Sequence, residues 1–318
     1  MPKNFYLNSK AAAASDFRLI PMCAYAIACK ISFAEFRKIF INFGAFIKIY
    51  KIRVMKKFSI IIFTLILGFS TAAALLSSCN GGNGNVELTW IKDNAGEKLM
   101  PLELFGDVPD SLVSGLSIQE GIPSSVSAFL VKTDEGTILF DTGLGTRESL
   151  LEEGLAEAGV KPGDIDFLYL THFHGDHIGG MMKGDSVAFP NAEVYASQAE
   201  YDAWMAMSYG RKAQVVKTMS AYSDRLHLFG FGDVLPGKVL AIGAVGHTPG
   251  HTAYQVGTYL IAGDFMHGAA LQSAYPEYCA AYDMDKAKAV EARKYLMDYA
   301  RENGLVLVGM HLPEGIMR

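Results

Sequence analysis

Thr171-His172-Phe173-His174-Gly175-Asp176-His177-Ile178-Gly179-Gly180 packs three imidazoles and a carboxylate into six residues, directly after the apolar run Phe167-Leu168-Tyr169-Leu170. His172 and His174, two apart at a strand end, point the same way, while Asp176 and His177 turn back toward a second position nearby. Gly175, Gly179 and Gly180 give the backbone the freedom that such a bend requires. The chain has eight histidines in 318 residues, so three in one loop argue against a purely structural cluster. The outline is that of a site for two metal ions.

Other stretches add donors in order along the chain. Val245-Gly246-His247-Thr248-Pro249-Gly250-His251-Thr252 sets two histidines on a Gly/Pro-rich turn, Leu260-Ile261-Ala262-Gly263-Asp264 is a strand ending in a carboxylate, and Leu307-Val308-Gly309-Met310-His311-Leu312-Pro313 is an apolar strand delivering a histidine. Together with the first loop, which reads His-x-His-x-Asp-His, they resemble the metallo-β-lactamase superfamily between residues 171 and 313. The resemblance implies one metal held by His172, His174 and His247, a second held by Asp176, His177 and His311, and Asp264 touching both. Spacing alone leaves His247 and His251 as equal candidates. The family pattern favours His247 and leaves His251 as a hydrogen-bonding partner of the site or a structural residue. Asp141, in Ile138-Leu139-Phe140-Asp141-Thr142-Gly143, matches a family position where a carboxylate at a strand end orients ligand histidines; by itself it reads as an ordinary turn Asp before Gly.

Imidazole and carboxylate donors without thiolate suit zinc best, with iron or manganese as alternatives. The resemblance implies two divalent ions sharing a hydroxide that is a nucleophile at neutral pH, with Asp176 as the catalytic residue that orients it and passes a proton to the leaving group. Within the superfamily, His177 stands where one β-lactamase subclass has Arg, and Asp264 is present where another lacks the bridging acid. Both departures point away from antibiotic hydrolysis, toward glyoxalase II-like thioesterases, quorum-quenching lactonases and methyl parathion hydrolase-like phosphotriesterases. The ending Met310-His311-Leu312-Pro313 most resembles the last two groups. The expectation is a dinuclear hydrolase of a neutral, hydrophobic ester, lactone or phosphotriester. A β-lactamase, a thioesterase and a mononuclear-iron persulfide dioxygenase are the alternatives, and the last would leave His177 and His311 idle.

Residues 1–78 carry eleven Lys and Arg against two Asp and Glu, and residues 79–318 carry seventeen against thirty-one. The acidic second part would repel a nucleic acid, so the expected partner is a small-molecule substrate. Met55-Lys56-Lys57-Phe58, the apolar run Ser59–Phe69 and the small residues that follow read as a secretory signal peptide over 55–78. Leu76-Ser77-Ser78-Cys79 resembles a bacterial lipobox, which implies a lipid on Cys79, a membrane anchor facing the periplasm, and a flexible tether over 79–85. Residues 1–54, upstream of a complete export signal, read as a mis-assigned N-terminal extension. Of Cys23, Cys29, Cys79 and Cys279, export leaves the last two, so no structural disulfide is expected.

The remaining 86–318 reads as one catalytic α/β domain. Strand-like runs recur at 126–131, 137–140, 167–170, 193–196, 238–241, 254–257, 259–262 and 305–308, and helical periodicity at 147–158, 199–207 and 285–302. Asp283 or Asp285 would cap the last helix. The resemblance implies a four-layer αβ/βα sandwich with metals at the strand ends. Trp204, Met205, Met207 and Tyr209, with Tyr275, Tyr278 and Tyr282, are expected to wall an apolar substrate pocket that His267 can reach.

Overall fold

The computed structural model describes residues 86–317. The expected extension, signal peptide, Cys79 lipid site and tether lie outside the described residues. Among the described residues, no helix is long and apolar enough to cross a membrane.

The periodic runs assemble into two sheets. The first contains β1 (Glu87–Lys92), β2 (Ser127–Thr133), β3 (Gly136–Phe140), β4 (Phe167–Tyr169), β5 (Glu193–Ser197) and β6 (Leu226–Phe229), side by side in that order. The second contains β7 (Val234–Leu235), β8 (Val239–Gly243), β9 (Thr252–Val256), β10 (Tyr259–Ile261) and β11 (Val306–Val308). β1–β3 form an antiparallel meander and β3–β6 run parallel, each parallel step carrying a crossover. The second sheet is antiparallel except for β10 beside β11.

Alternation along the strands divides the apolar residues between two faces. Phe129, Val131, Ile138, Phe140 and Tyr169 face Val239, Tyr254, Val256 and Ile261 between the sheets. Phe140, Tyr169 and Tyr254 meet there with all three ring-centroid separations at 5.4 Å. The Tyr254 hydroxyl donates to Leu170 O at 2.6 Å, so this buried phenol is satisfied while it ties the sheets together. On the outer face of the first sheet, Leu139, Leu168 and Val194 pack against α1 (Leu151–Glu157), α2 (Gln198–Ala206) and α3 (Tyr209–Ala221). On the outer face of the second, Ile242, Ala253, Leu260 and Leu307 pack against Leu296 and Ala300 of α4 (Lys286–Asn303). The order helices, sheet, sheet, helix is the four-layer sandwich expected.

Three refinements of the sequence reading have physical causes. α1 begins at Leu151 rather than 147, because the buried Asp93 captures the preceding loop: its carboxylate accepts from Leu144 N (2.8 Å), Ser149 Oγ (3.0 Å) and Leu151 N (3.0 Å). Asp285 caps α4 by accepting from Lys288 N at 3.1 Å, which leaves Asp283 free to turn inward. β1, β6, β7 and α3 lie outside the periodic runs; α3 shows only Val215, Thr218 and Met219 as buried positions, too few to stand out in sequence. An antiparallel ribbon of Lys98–Met100 with Ile122–Ser124 forms a satellite core with Phe105, Ile118 and Leu271 beside the strand ends.

Candidate metal centre

The C-terminal ends of β3, β4, β10 and β11 lie at one edge of the sandwich, and the turn between β8 and β9 joins them. In an α/β sheet, ligands gather at the carboxyl ends of the parallel strands. Each ligand-bearing segment follows one of these ends. Asp141 follows β3, residues 172–177 follow β4, Asp264 follows β10 and His311 follows β11, while His247 and His251 sit on the β8–β9 turn.

Two clusters of donors result. His172, His174, His247 and Asp264 form one, and Asp176, His177 and His311 the other. In the first, His174 Nδ1 lies 2.9 Å from both His172 Nε2 and His247 Nε2, which are 3.2 Å apart. Asp264 Oδ2 stands 3.2 Å from His247 Nε2 and 3.7 Å from His172 Nε2. In the second, His311 Nε2 lies 3.5 Å from Asp176 Oδ2, and His177 Nε2 lies 3.6 Å from Asp176 Oδ1. Asp264 is between the clusters, with Oδ1 3.1 Å from His177 Nε2 and Oδ2 3.1 Å from His311 Nε2.

The far ring nitrogens decide which lone pairs face inward. His177 Nδ1 donates to Asp141 Oδ2 at 2.7 Å, His247 Nδ1 to Asp283 Oδ1 at 3.0 Å, and His311 Nδ1 to Ser125 O at 2.7 Å. Thr171 gives its hydroxyl proton to Asp141 Oδ2 (2.7 Å), so His172 Nδ1 donates to Thr171 Oγ1 at 3.0 Å. In the neutral rings, the inward nitrogens of His172, His177, His247 and His311 then present lone pairs to a common centre. Tetrahedral nitrogen donors about 2.0–2.1 Å from zinc stand roughly 3.3 Å apart, close to the spacing of the first cluster. His177 Nε2 and Asp264 Oδ1 are buried with no hydrogen-bond partner, a costly arrangement for polar atoms that a cation between them relieves. The donor set therefore fits divalent ions.

Electrostatics of the ion-free cluster point the same way. Burial drives His172 well below its ordinary value, helped by the neighbouring His177, and lowers His174 to about 3. Burial also opposes charge on His247, yet Asp264 and Asp283 hold it up at about 9; His177 and His311 are likewise raised, by Asp264 first among their neighbours. Against its own burial, Asp264 is held well below the carboxylate range by His177, His311 and His172. Without ions, the carboxylates recruit protons onto the facing imidazoles.

Asp141 sits in the left-handed region at φ 58°, fully buried, with Oδ1 accepting from Thr171 N at 2.8 Å. His251 uses both nitrogens on backbone: Nδ1 donates to Ala244 O (3.0 Å) and Nε2 accepts from Asp264 N (2.9 Å). No lone pair of His251 remains for a metal, and its bonds hold Asp264 in place.

Further residues surround the centre, and His267 lines its cavity as the sequence reading expects. His267 is buried, with Nε2 3.2 Å from Asp264 Oδ2 and Nδ1 unpartnered. Its ring stacks on that of His311 at 4.9 Å. Asp283 also accepts from the fully buried Arg293 at 3.4 Å, and Arg293 further bonds Phe265 O, Pro276 O and Tyr278 O. A cavity of about 170 Å³ opens over the donors, walled by Lys98, Met100, His267 and Tyr282. Of the expected aromatic wall, Tyr282 alone lines this cavity. Trp204 is buried against the His174 ring, Tyr275 and Tyr278 pack into the satellite core, and Tyr209 is 72% exposed at the start of α3.

The model of the metallo-beta-lactamase superfamily matches residues 121–302. An N-acyl homoserine lactonase of Bacillus cereus is 28% identical over 156 residues, 42% of this chain and 58% of the relative. The chain thus spans about three-fifths of that relative's length. A protein of Mycobacterium tuberculosis named as a probable metallo-hydrolase is 25% identical over 242 residues, covering 61% of this chain and 76% of the relative. Among solved structures, the hydrolase AbOPH of the beta lactamase superfamily superposes with a TM-score of 0.65 at 29% identity, covering 74% of this chain and 90% of the other. AidC, a dizinc quorum-quenching lactonase, superposes with a TM-score of 0.64 at 24% identity over 73% and 90% of the two chains, a likeness of fold.

Proposed function

The chain belongs to the metallo-beta-lactamase superfamily, and from that premise we propose that it is a dinuclear metal-dependent hydrolase of an ester-like bond, with a lactone as the preferred substrate. The observation that carries this reading is the paired cluster of inward-facing donors on either side of Asp264. His172, His174 and His247 would hold one divalent ion, Asp176, His177 and His311 the other, with Asp264 shared and zinc the preferred metal. Two such ions supply a water-derived nucleophile at neutral pH and polarise the substrate's carbonyl or phosphoryl oxygen.

The chain's own residues do the remaining work. Asp176 is a partly open donor, with its side chain 27% exposed, and it lines the cavity. Its carboxylate is placed to take a proton from the attacking water and return it to the leaving oxygen. Asp141 and Asp283 hold His177 and His247 in one tautomer. Lys98 stands in the wall as a cation that can hydrogen-bond a substrate oxygen, while Met100 and Tyr282 supply the apolar surface. The cavity takes the scissile group and leaves the rest of the substrate near solvent, so the fully apolar pocket expected from the sequence is narrowed to one side. The likeness to N-acyl homoserine lactonases supports lactones first, and phosphotriesters stay second on the sequence reading.

Metal content of the purified protein tests the centre: two zinc ions per chain are expected, falling to about one in His311→Ala. A single iron untouched by that substitution would sink the dinuclear reading. A panel of acyl-homoserine lactone, thioester, phosphotriester and cephalosporin then ranks the bond cleaved, and a cephalosporin in first place overturns the lactone preference. Export with a lipid on Cys79 and anchoring in the bacterial envelope belongs to the same proposal; loss of lipid labelling in Cys79→Ala checks it.

A further inference from the structure

Glu200 is 1% exposed in the core behind the metal centre, on the first turn of α2. Ser197 caps this helix by accepting from Glu200 N at 3.1 Å, so Ser197-Gln198-Ala199-Glu200 has the spacing of a capping box. In that motif, the Glu side chain returns to the cap's own backbone N–H. Here it turns inward and collects four other donors. Oε1 accepts from Phe173 N (3.0 Å) and Trp204 Nε1 (2.6 Å), and Oε2 from Thr248 Oγ1 (2.8 Å) and Gly250 N (2.8 Å).

These donors come from both sides of the first cluster. Phe173 lies between His172 and His174, Thr248 follows His247, and Trp204 sets its indole against His174 with ring centroids 5.7 Å apart. The two loops belong to different sheets, and Ser197 Oγ adds a further tie by donating to Gly250 O at 2.7 Å. The approach is close enough that a Cβ on Gly250 would stand 2.0 Å from Glu200 N. One buried carboxylate therefore sets the separation of the loops carrying His172, His174 and His247. The second cluster takes its support elsewhere, from Asp141 and Ser125.

We infer that Glu200 is a positioning residue for the first ion alone, holding the loops of His172, His174 and His247 at their binding distance while leaving Asp176, His177 and His311 unaffected. The inference rests on the metal-centre reading above. Glu200→Gln is the diagnostic change because it preserves shape and replaces one acceptor oxygen with a donor. Phe173 N–H and Trp204 Nε1–H can only donate, so the amide oxygen must face them. The amide nitrogen then faces Thr248, whose hydroxyl can turn, and Gly250 N–H, which cannot. The loss falls on the turn that carries His247.

Zinc affinity is read by competition with a chromophoric chelator in two backgrounds: His311→Ala, which keeps the first cluster, and His247→Ala, which keeps the second. Glu200→Gln is expected to weaken zinc roughly tenfold to a hundredfold in the first background and to leave the second unchanged. Leu155→Ala, a core truncation on α1, controls for general loss of stability. Equal weakening in both backgrounds, or no more weakening in the first than Leu155→Ala produces, overturns the inference. If Glu200→Gln does not accumulate as folded protein, Thr248→Val removes one of the four donors, and the same selective loss is required of it. Wild-type protein that binds no zinc overturns the metal-centre reading and this inference with it; two bound ions without selectivity overturn the inference alone.

Discussion

The two halves of the sandwich furnish the centre unequally. The first sheet delivers His172, His174, Asp176 and His177 from one loop after one strand, whereas the second delivers His247, Asp264 and His311 from three places up to 64 residues apart. In the first half, one backbone bend sets four donors, and Asp141 with Thr171 sets the rings from the adjacent strand end. In the second half, each donor has a separate brace: Asp283 for His247, His251 for Asp264, and Ser125 for His311. A contiguous loop carries its geometry in its own dihedral angles. A dispersed set holds its geometry only while the packing between elements holds.

The largest expected effect breaks the comparison at the point where the halves meet. Asp264→Ala removes the one carboxylate facing both clusters; both ions should be lost from the isolated protein, with turnover falling below detection, as metal analysis and a lactone assay would show. One ion retained at full affinity would mean that the halves bind independently.

The braces give the next effect, and the halves should respond differently. Asp141→Asn keeps the backbone, because Asn tolerates the left-handed region that Asp141 occupies at φ 58°. It takes the acceptor from His177 Nδ1, so the second ion should weaken about tenfold to a hundredfold with little change in melting temperature. Asp283→Asn should weaken the first ion by a similar factor and also cost on the order of 3 kcal/mol of stability, because it breaks a fully buried pair with Arg293. Calorimetry with chelator competition separates the two outcomes. Equal stability losses would mean that the buried Asp283–Arg293 pair adds nothing to the fold beyond its brace on His247.

A smaller effect comes from protons. His247 is held at about 9, and His177 and His311 are also raised, so these imidazoles favour the charged form in the ion-free protein at neutral pH. Bound ions must displace those protons, so apparent zinc affinity should fall as pH falls below about 9, by about tenfold per pH unit for each proton displaced. Proton uptake on chelation, followed in weakly buffered solution, measures the number directly, and none taken up near pH 7 would refute the assignment. Smallest of all, Lys98→Ala should raise KM for a lactone while kcat stays level, as expected for a group that binds ground and transition states alike. Tyr209→Ser, on the exposed start of α3, should change stability by no more than about 0.5 kcal/mol and leave KM alone.

The same contrast explains what was legible in sequence. The His-x-His-x-Asp-His loop is local, and its spacing alone announces a metal centre. The strands at 137–140, 167–170, 193–196 and 259–262 stand out because alternation and apolar runs are local patterns. β1, β6, β7 and α3 escape the pattern because their burial is slight. Glu200 hides inside what looks like a routine helix cap, and Asp283 offers itself as a cap until Asp285 takes that role.

Sequence by itself determined the donor types, their order, the α/β class and the superfamily, since residue chemistry and short-range spacing carry all four. Tertiary structure decided what spacing left open, turning His251 onto backbone groups so that His247 faces the first cluster, and it recruited Glu200, Asp283 and Ser125 as braces. It also replaced most of an expected aromatic wall with Lys98 and Met100 from the N-terminal ribbon. These outcomes depend on hydrogen bonds and close packing between segments up to 187 residues apart, and such distances exist only once both sheets have closed on their common core.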